Sequence, residues 1–223
     1  SGLSATPAWM AENNHAGAWL GYCVGTAGDV NGDGYSDVII SAGSYSNGQD
    51  LVVGHVSLYE GSPSGLSASP AWTAEGDQAA DGFGGSLGTA GDVNGDGYSD
   101  VIVGAYWHDN VFIDEGRAYV YLGSPSGLSA SPAWTAQSHQ FNGWFGISVG
   151  TAGDVNGDGY ADVIVGADWA WIGQGSEGRA YVYHGSPGGL SASPSWTAES
   201  NQAAAGFGLA AATAGDVNND GYA

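Results

Sequence analysis

The sequence predicts an all-β fold built from the four-stranded antiparallel blades of a β-propeller. One acidic motif returns about every 62 residues, with its first aspartate at positions 29, 92, 154 and 216. Each period holds four short segments with the alternation or the apolar runs typical of strands, and it contains no helical stretch. Four short strands in each repeat match one propeller blade.

The strands follow one another in the same order in each period. The first strand leads into the motif, as in "GFGGSLGTAGDV". The second follows the motif and reads "DVIISAGS", "DVIVGAYW" or "DVIVGADW", which is β-branched and apolar like a buried strand. The third, "GRAYVYLGS", alternates cleanly, and the fourth, "SPAWTAE", follows a Pro-Ser-Gly turn. The expected order is inner strand, acidic turn, second strand, third strand and outer strand.

The repeats define one propeller region, residues 1–223, with about 3.5 blades. We expect the outer strand of a preceding blade at 1–12, blades at 13–75, 76–137 and 138–199, and the start of another at 200–223. Three blades cannot close a ring, because propellers typically use four to eight. Either the chain is a piece of a longer polypeptide or several copies complete one another. The fourth motif stops before its last ligand, which favours a piece.

Composition and charge exclude several classes of protein. With 43% hydrophobic residues, the chain has ample material for a core, so we expect it to fold despite 41 glycines. It has 23 acidic residues, two arginines and no lysine, a net charge of -21. Nucleic acid is therefore excluded as a partner, and an anionic membrane surface is disfavoured. No apolar run approaches the roughly 18 residues of a membrane span, so direct membrane insertion is not expected.

The repeated motif "DVNGDGYSD" predicts calcium sites. Oxygen-bearing side chains fall at positions 1, 3, 5 and 9 around a glycine at position 6, and the tyrosine at position 7 offers its carbonyl. Hard oxygen donors at this spacing suit the shell of Ca²⁺. The expected ligands are Asp29, Asn31, Asp33, Tyr35 and Asp37; Asp92, Asn94, Asp96, Tyr98 and Asp100; Asp154, Asn156, Asp158, Tyr160 and Asp162; and, in a truncated fourth site, Asp216, Asn218, Asp220 and Tyr222.

Three other interpretations of the motif fit less well. Hairpin turns explain the glycines but not the further oxygen ligands at fixed phase. An EF-hand needs glutamate at position 12, where this chain has Ile40, Val103 or Val165. Dockerin modules share the opening "GDVNGDG" but repeat at a shorter interval and continue into helices. The motif here continues into strands, so we expect three complete calcium sites in strand turns.

The whole chain resembles the FG-GAP repeats of integrin α-subunit propellers and their bacterial relatives. Phe83-Gly84 and Phe145-Gly146 precede the second and third motifs, and Gly104-Ala105 and Gly166-Ala167 follow them. The first copy departs with Leu20-Gly21, and the proline of the family pattern is absent throughout. The resemblance implies a propeller, usually of seven blades, with calcium in the turns between first and second strands. It also implies an extracellular adhesion role.

The connections between second and third strands differ most between repeats, so a ligand site is sought there. They read "GSYSNGQDLVVG", "YWHDNVFIDEG" and "DWAWIGQGSEG". The candidate ligand-binding residues are Trp107, His108, Asp109, Trp169 and Trp171, whose aromatic faces and acceptors suit sugar rings. Trp19 and Trp144 stand in the segments that enter the first strands. The alternative is that these aromatic side chains pack blade against blade.

No catalytic constellation emerges, so an enzyme is not expected. The five histidines do not occupy equivalent places in the repeats. Arg117 and Arg179 share one repeat position beside Glu115 and Glu177, which favours a structural ion pair over an anion site. Millimolar calcium affinity, common in extracellular modules, would fit a secreted or cell-surface protein.

Three roles remain open. The first is a calcium-stabilised extracellular module that recognises a protein or glycan ligand. The second is a structural unit of a surface layer or fibre, with self-association through open blade edges. The third is a non-catalytic propeller attached to a polysaccharide-active enzyme.

Overall fold

The computed structural model of the chain describes residues 5–13, 15–46, 52–172 and 175–223. Within these ranges it contains fourteen strands and no helix. Twelve strands form three four-stranded antiparallel sheets, and the remaining two form a short hairpin. The all-β fold of four-stranded blades predicted from the repeat is therefore confirmed.

Each sheet is a meander in which consecutive long strands are neighbours. The first comprises β1 (Leu20–Gly28), β2 (Asp37–Ala42), β3 (His55–Tyr59) and β4 (Trp72–Glu75). The second comprises β5 (Phe83–Gly91), β6 (Asp100–Ala105), β7 (Arg117–Tyr121) and β8 (Trp134–Gln137). The third comprises β9 (Ser148–Gly153), β10 (Asp162–Ala167), β13 (Arg179–Tyr183) and β14 (Trp196–Glu199), with the hairpin of β11 (Trp171–Ile172) and β12 (Gly175–Ser176) inserted before β13.

This topology gives each blade two chemically different ends. The turns after the first and third strands lie at one end, because antiparallel strands reverse direction at each turn. The connections after the second and fourth strands lie at the opposite end. The acidic motifs are therefore at one end, which we call the acidic end, and the variable connections are at the other, the variable end.

Two hydrophobic clusters lie between the sheets and join them. Along β6, Val101 and Val103 belong to the cluster shared with the first sheet, whereas Ile102 belongs to the cluster shared with the third. Both faces of the second strand are thus buried, which explains its unbroken apolar sequence. Each fully buried side chain of this size contributes about 1.5–3 kcal/mol.

In the first two blades, a tryptophan on the outer strand packs on the next blade. The Trp72 ring meets Tyr121 edge to face at 4.9 Å, and its Nε1 donates to the Ser129 carbonyl at 3.0 Å. Trp134 contacts Tyr183 at the same ring distance and donates to the Ser191 carbonyl. The tryptophans that recur in phase therefore serve the packing between blades.

The two flanking segments occupy the places of neighbouring blades without forming strands. Residues 5–13 form no strand, yet Trp9 packs on Tyr59 at 4.9 Å and donates to the Ser67 carbonyl. In the segment 200–223, Phe207 makes a single bridge to Gly178, and the residues after it are irregular. The described residues of these two segments therefore do not form the outer and inner strands expected there, and the described residues supply neither segment with the other strands of its own sheet.

Candidate functional site

The acidic motifs lie in the turns between the first and second strands of each sheet. In the first turn, Gly32 and Gly34 have φ angles of 75° and 89°, which glycine adopts without strain. Gly95 and Gly97 repeat these angles at 74° and 91°. The glycine at position 6 thus supplies the sharp turn expected of it.

The first aspartate of each turn is held by the amides of the turn itself. Asp29 Oδ1 accepts from Gly32 N at 2.8 Å and from Asp33 N at 3.1 Å, and its Oδ2 accepts from Gly34 N at 2.8 Å. Asp92 and Asp154 each accept three equivalent bonds. In the fourth turn, bonds of this kind lower the pKa of the Asp216 carboxyl. Each turn therefore orients its first carboxylate.

The ninth position carries a fully buried carboxylate. Asp37 Oδ2 accepts from Val30 N at 2.9 Å, and its Oδ1 accepts from Gly61 N at 2.8 Å. The bond to Gly61 ties the motif to the connection between the third and fourth strands. Asp100 and Asp162 are equally buried and make the corresponding bonds. Burial raises the pKa of all three carboxyls, and that of Asp100 rises to about 6.

The donor set of each complete turn fits a hard divalent cation such as Ca²⁺. Three carboxylates and one side-chain amide supply oxygen atoms, and the carboxylate of Asp37 keeps acceptor capacity beside its two backbone bonds. The neighbouring charges that act on Asp37 are those of Asp33 and Asp29, which further raise its pKa. Both of these charges on Asp37 are negative, so the charge of this site suits a cation.

The side chains at positions 3 and 5 contact each other. Asn31 Nδ2 donates to Asp33 Oδ2 at 3.3 Å, and the same pairing recurs in the other turns. Among the described residues, no three side chains of His, Cys, Asp or Glu form a group that could hold a metal ion. An ion would have to replace the contact between positions 3 and 5 to collect the full set of ligands.

Neighbouring turns contact each other, which the sequence analysis missed. Ser99 N donates to the Asp29 carbonyl at 2.9 Å, and a Cβ on Gly32 would lie 2.7 Å from the Tyr98 ring. The same contacts link the second turn to the third through Ala161 and Tyr160. One sequence signal of this contact was available. Position 4 is glycine in the three copies that another motif follows, and it is Asn219 in the last copy.

The variable end carries most of the candidate ligand-binding side chains on its surface. Trp107, Trp169 and Trp171 are 42%, 47% and 66% exposed, and Asp109 is also exposed. The ring centroids of Trp107 and Tyr106 lie 4.7 Å apart with the rings edge to face, and those of Trp169 and Trp144 lie 5.3 Å apart. In the first blade, residues 47–51 of the corresponding connection lie outside the described residues.

His108 differs from the other candidates because it is buried. Only 2% of its surface is exposed, and its Nε2 lies 3.2 Å from Asp77 Oδ1. Burial lowers the pKa of His108, and the Arg117 charge adds to this, whereas Asp77 opposes it. His108 therefore packs beneath the surface that Trp107 and Asp109 present, which corrects its expected place on that surface.

The arginines bond across the sheet to their direct neighbours on the outer strand. Arg117 donates from Nε and Nη2 to Gln137 Oε1 at 3.2 and 2.8 Å, and Arg179 pairs with Glu199. Glu115 is fully buried and accepts from Val111 N at 2.9 Å. Strand register therefore places Gln137 and Glu199 directly opposite the two arginines.

A search of the described residues for a helix long and apolar enough to cross a membrane finds none.

Comparisons with known proteins agree with this architecture. The family model "FG-GAP repeat" matches residues 24–56, 83–121 and 145–183. Integrin alpha-PS2 of Drosophila melanogaster is 35% identical over 92% of this chain, and Integrin alpha pat-2 of Caenorhabditis briggsae is 34% identical over 91%. Integrin alpha-5 of Xenopus laevis is 27% identical over 96%. The chain spans only 15%, 17% and 20% of the lengths of alpha-PS2, pat-2 and alpha-5.

Proposed function

Because this chain belongs to the FG-GAP repeat family of integrin α-type propellers, we propose that it is a calcium-stabilised extracellular recognition module that binds protein or glycan ligands. In this proposal it is non-enzymatic, and its three blades are part of a larger propeller. Similarity to integrin α chains over most of its length supports an adhesion-type role. The two other roles, a unit of a surface layer or fibre and a propeller attached to an enzyme, stay predictions.

The observation that carries the calcium proposal is the buried ninth carboxylate, repeated in three turns. Asp37, Asp100 and Asp162 are 0% exposed and have acidic neighbours in the turn. A buried carboxylate without a cation is costly, since burial disfavours its charged form. Calcium in each turn would offset this cost, and three ions would change the net charge from -21 to -15.

The residues that would hold calcium have complementary tasks. Positions 1 and 9 are already oriented by backbone amides, so their ordering cost on binding is small. Positions 3 and 5 would exchange their mutual contact for the ion, and the carbonyl of the position 7 tyrosine would complete the protein ligands. The ion supplies positive charge that stabilises the turn.

The variable end is the proposed recognition surface. It lies opposite the acidic turns, and its connections differ between blades in length and composition. Exposed tryptophans are enriched at binding surfaces, because they contribute large contact areas. Stabilised turns at one end and variable connections at the other support a scaffold that presents a ligand site.

We expect calcium to raise the melting temperature of the chain by about 10 °C, since saturation of three sites at tenfold excess over Kd is worth about 4 kcal/mol. Asp96→Asn should reduce this shift, because it removes a carboxylate from the second turn. The measurement is thermal unfolding in chelator, in millimolar calcium and in magnesium at equal ionic strength.

Asp109→Asn is the matched control, since it removes an exposed carboxylate outside the turns. A melt that calcium leaves unchanged, or an equal shift in both variants, would contradict the calcium proposal. Recognition is assessed separately by the adhesion of beads coated with the chain to panels of extracellular proteins and glycans. Absence of adhesion would contradict the recognition role whatever the calcium result.

A further inference from the structure

One repeat position carries tryptophan on a backbone that suits glycine. The residue before the Phe-Gly or Leu-Gly pair has a positive φ in all four copies: Trp19 (56°), Gly82 (72°), Trp144 (48°) and Gly206 (63°). Glycine enters this region freely, whereas a bulky side chain is a genuine outlier there. Glycine would therefore satisfy the fold at this position. In the two copies that have tryptophan instead, the backbone is strained.

Burial of the two tryptophan side chains contributes little to the stability of the fold. Trp19 is 65% exposed, so most of its ring remains in water. Trp144 is half-buried and lies on Trp169 with a tilt of 34°, but its buried Nε1 has no hydrogen-bond partner among the described residues. Backbone strain is typical of functional positions when the packing of the strained residue stabilises the fold so little.

Both tryptophans belong to aromatic surfaces at the variable end. Trp19 lines a mostly apolar cleft of about 180 Å³ between the first and second blades, together with Tyr22, Tyr106 and Trp107. This volume is below the roughly 300 Å³ at which pockets for drug-sized molecules begin, so it suits a single ring. In the third blade, Trp144 and Trp169 form a second aromatic surface.

We propose that Trp19 and Trp144 are stacking platforms for the neutral pyranose rings of a glycan. The face of a pyranose carries C–H groups of positive partial charge, which complement the negative face of an indole ring. Ser44 lines the cleft of Trp19 and offers a hydroxyl to the sugar. This inference rests on the proposed recognition role and assigns its ligand class.

The charge of the protein decides which glycans fit. A net charge of -21 opposes the approach of uronate or sulfated chains. A basic peptide would also be attracted by this charge, and its cations can bind an indole face. The mostly apolar cleft of Trp19 would remove water from those cations at a cost that a neutral ring avoids. Neutral oligosaccharides are therefore the expected ligands, and binding of peptides instead is an outcome that would overturn the proposal.

The test uses Trp19→Gly and Trp144→Gly in the full chain with calcium present. The probes are cellohexaose, mannohexaose and xylohexaose, compared with a galacturonate hexamer and a heparin oligosaccharide. We expect the wild type to bind at least one neutral probe and each variant to bind it about tenfold more weakly. We also expect the melting temperature of Trp19→Gly to be unchanged or higher, because glycine removes the strain.

Trp196→Ala is the control, since Trp196 is exposed and begins an outer strand at the acidic end. It should leave binding unchanged. The proposal is overturned if no neutral probe binds, if only peptides or acidic glycans bind, or if Trp19→Gly lowers the melting temperature while binding persists. The calcium-dependent melt and bead adhesion to proteins are independent readouts, so loss of the glycan inference alone leaves the recognition role standing.

Discussion

Burial of Asp81 between the first and second sheets makes the stability of the chain depend on pH. The side chain is 1% exposed, its Oδ1 accepts from Phe83 N at 2.9 Å, and its Oδ2 has no hydrogen-bond partner among the described residues. A Cβ on Gly76 would lie 2.8 Å from both carboxylate oxygens, so glycine makes room for them. Burial raises the pKa of Asp81 to about 7, and the charge of Asp77 adds to this.

Asp81→Asn should therefore stabilise the chain at high pH. The pKa of Asp81 in the folded chain lies above its value in the unfolded chain. Its contribution to the stability of the fold is therefore fully present below pH 4 and is lost as the pH rises through about 7. Asparagine keeps an acceptor for Phe83 N without a charge. We expect a gain of up to about 4 kcal/mol at pH 8 and little difference near pH 4, measured by urea unfolding in calcium.

Asp109→Asn, which changes an exposed carboxylate, should show no such pH-dependent gain. An Asp81→Asn effect of equal size at pH 4 and pH 8 would contradict a buried, ionising Asp81.

Among the elements, the second strands of the second and third blades depend on close backbone approach to the next repeat. A Cβ on Gly104 in β6 would overlap the Gly146 carbonyl and the Ser86 hydroxyl, and Gly166 faces Gly208 and Ser148 in the same way. Ser86 Oγ donates to the Gly146 carbonyl at 2.7 Å. The Gly-Ala pair after the second and third motifs therefore places the second strand directly against the Phe-Gly pair of the next repeat.

Gly104→Ala should destabilise the chain by about 2 kcal/mol or more, because overpacking forces the backbone of the next blade to move. Gly88→Ala in the paired strand β5 is the matched control, since a Cβ added there would have no other residue's atom within 4 Å. We expect the control to be neutral or slightly stabilising. Equal effects of the two substitutions in urea unfolding would show that close approach is not the cause.

At the scale of the whole molecule, the tryptophans of the outer strands connect the blades in series. Trp134 is half-buried and contacts Tyr183 and the Ser191 carbonyl, whereas Trp196 is 51% exposed. These residues occupy the same repeat position, so the difference arises from whether a following blade covers them. The stability lost when this tryptophan is replaced should therefore depend on which blade carries it, and not on residue type alone.

Trp134→Ala should lower the free energy of unfolding by about 2–4 kcal/mol, through lost burial and a lost hydrogen bond. Trp196→Ala should cost less than about 1 kcal/mol in this chain. The measurement is urea unfolding of both variants in calcium. A similar loss in both variants would mean that the interface between blades contributes little.

The sequence by itself determined the blade architecture and the set of calcium ligands proposed. Both depend on local chemistry: strand alternation, glycine in a left-handed turn, and oxygen donors at alternate positions are visible within about ten residues. The period of the motif then placed every copy, so the ligand set from Asp29 to Tyr222 needed no tertiary information.

Only the tertiary structure decided how residues from different strands and blades meet. It buried His108, placed Arg179 opposite Glu199, and set Tyr98 against Gly32 of the preceding turn. It also showed the left-handed backbone at Trp19 and Trp144. The physical reason is that burial and strain arise from packing between segments, which strand register and blade stacking bring together and which no local pattern encodes.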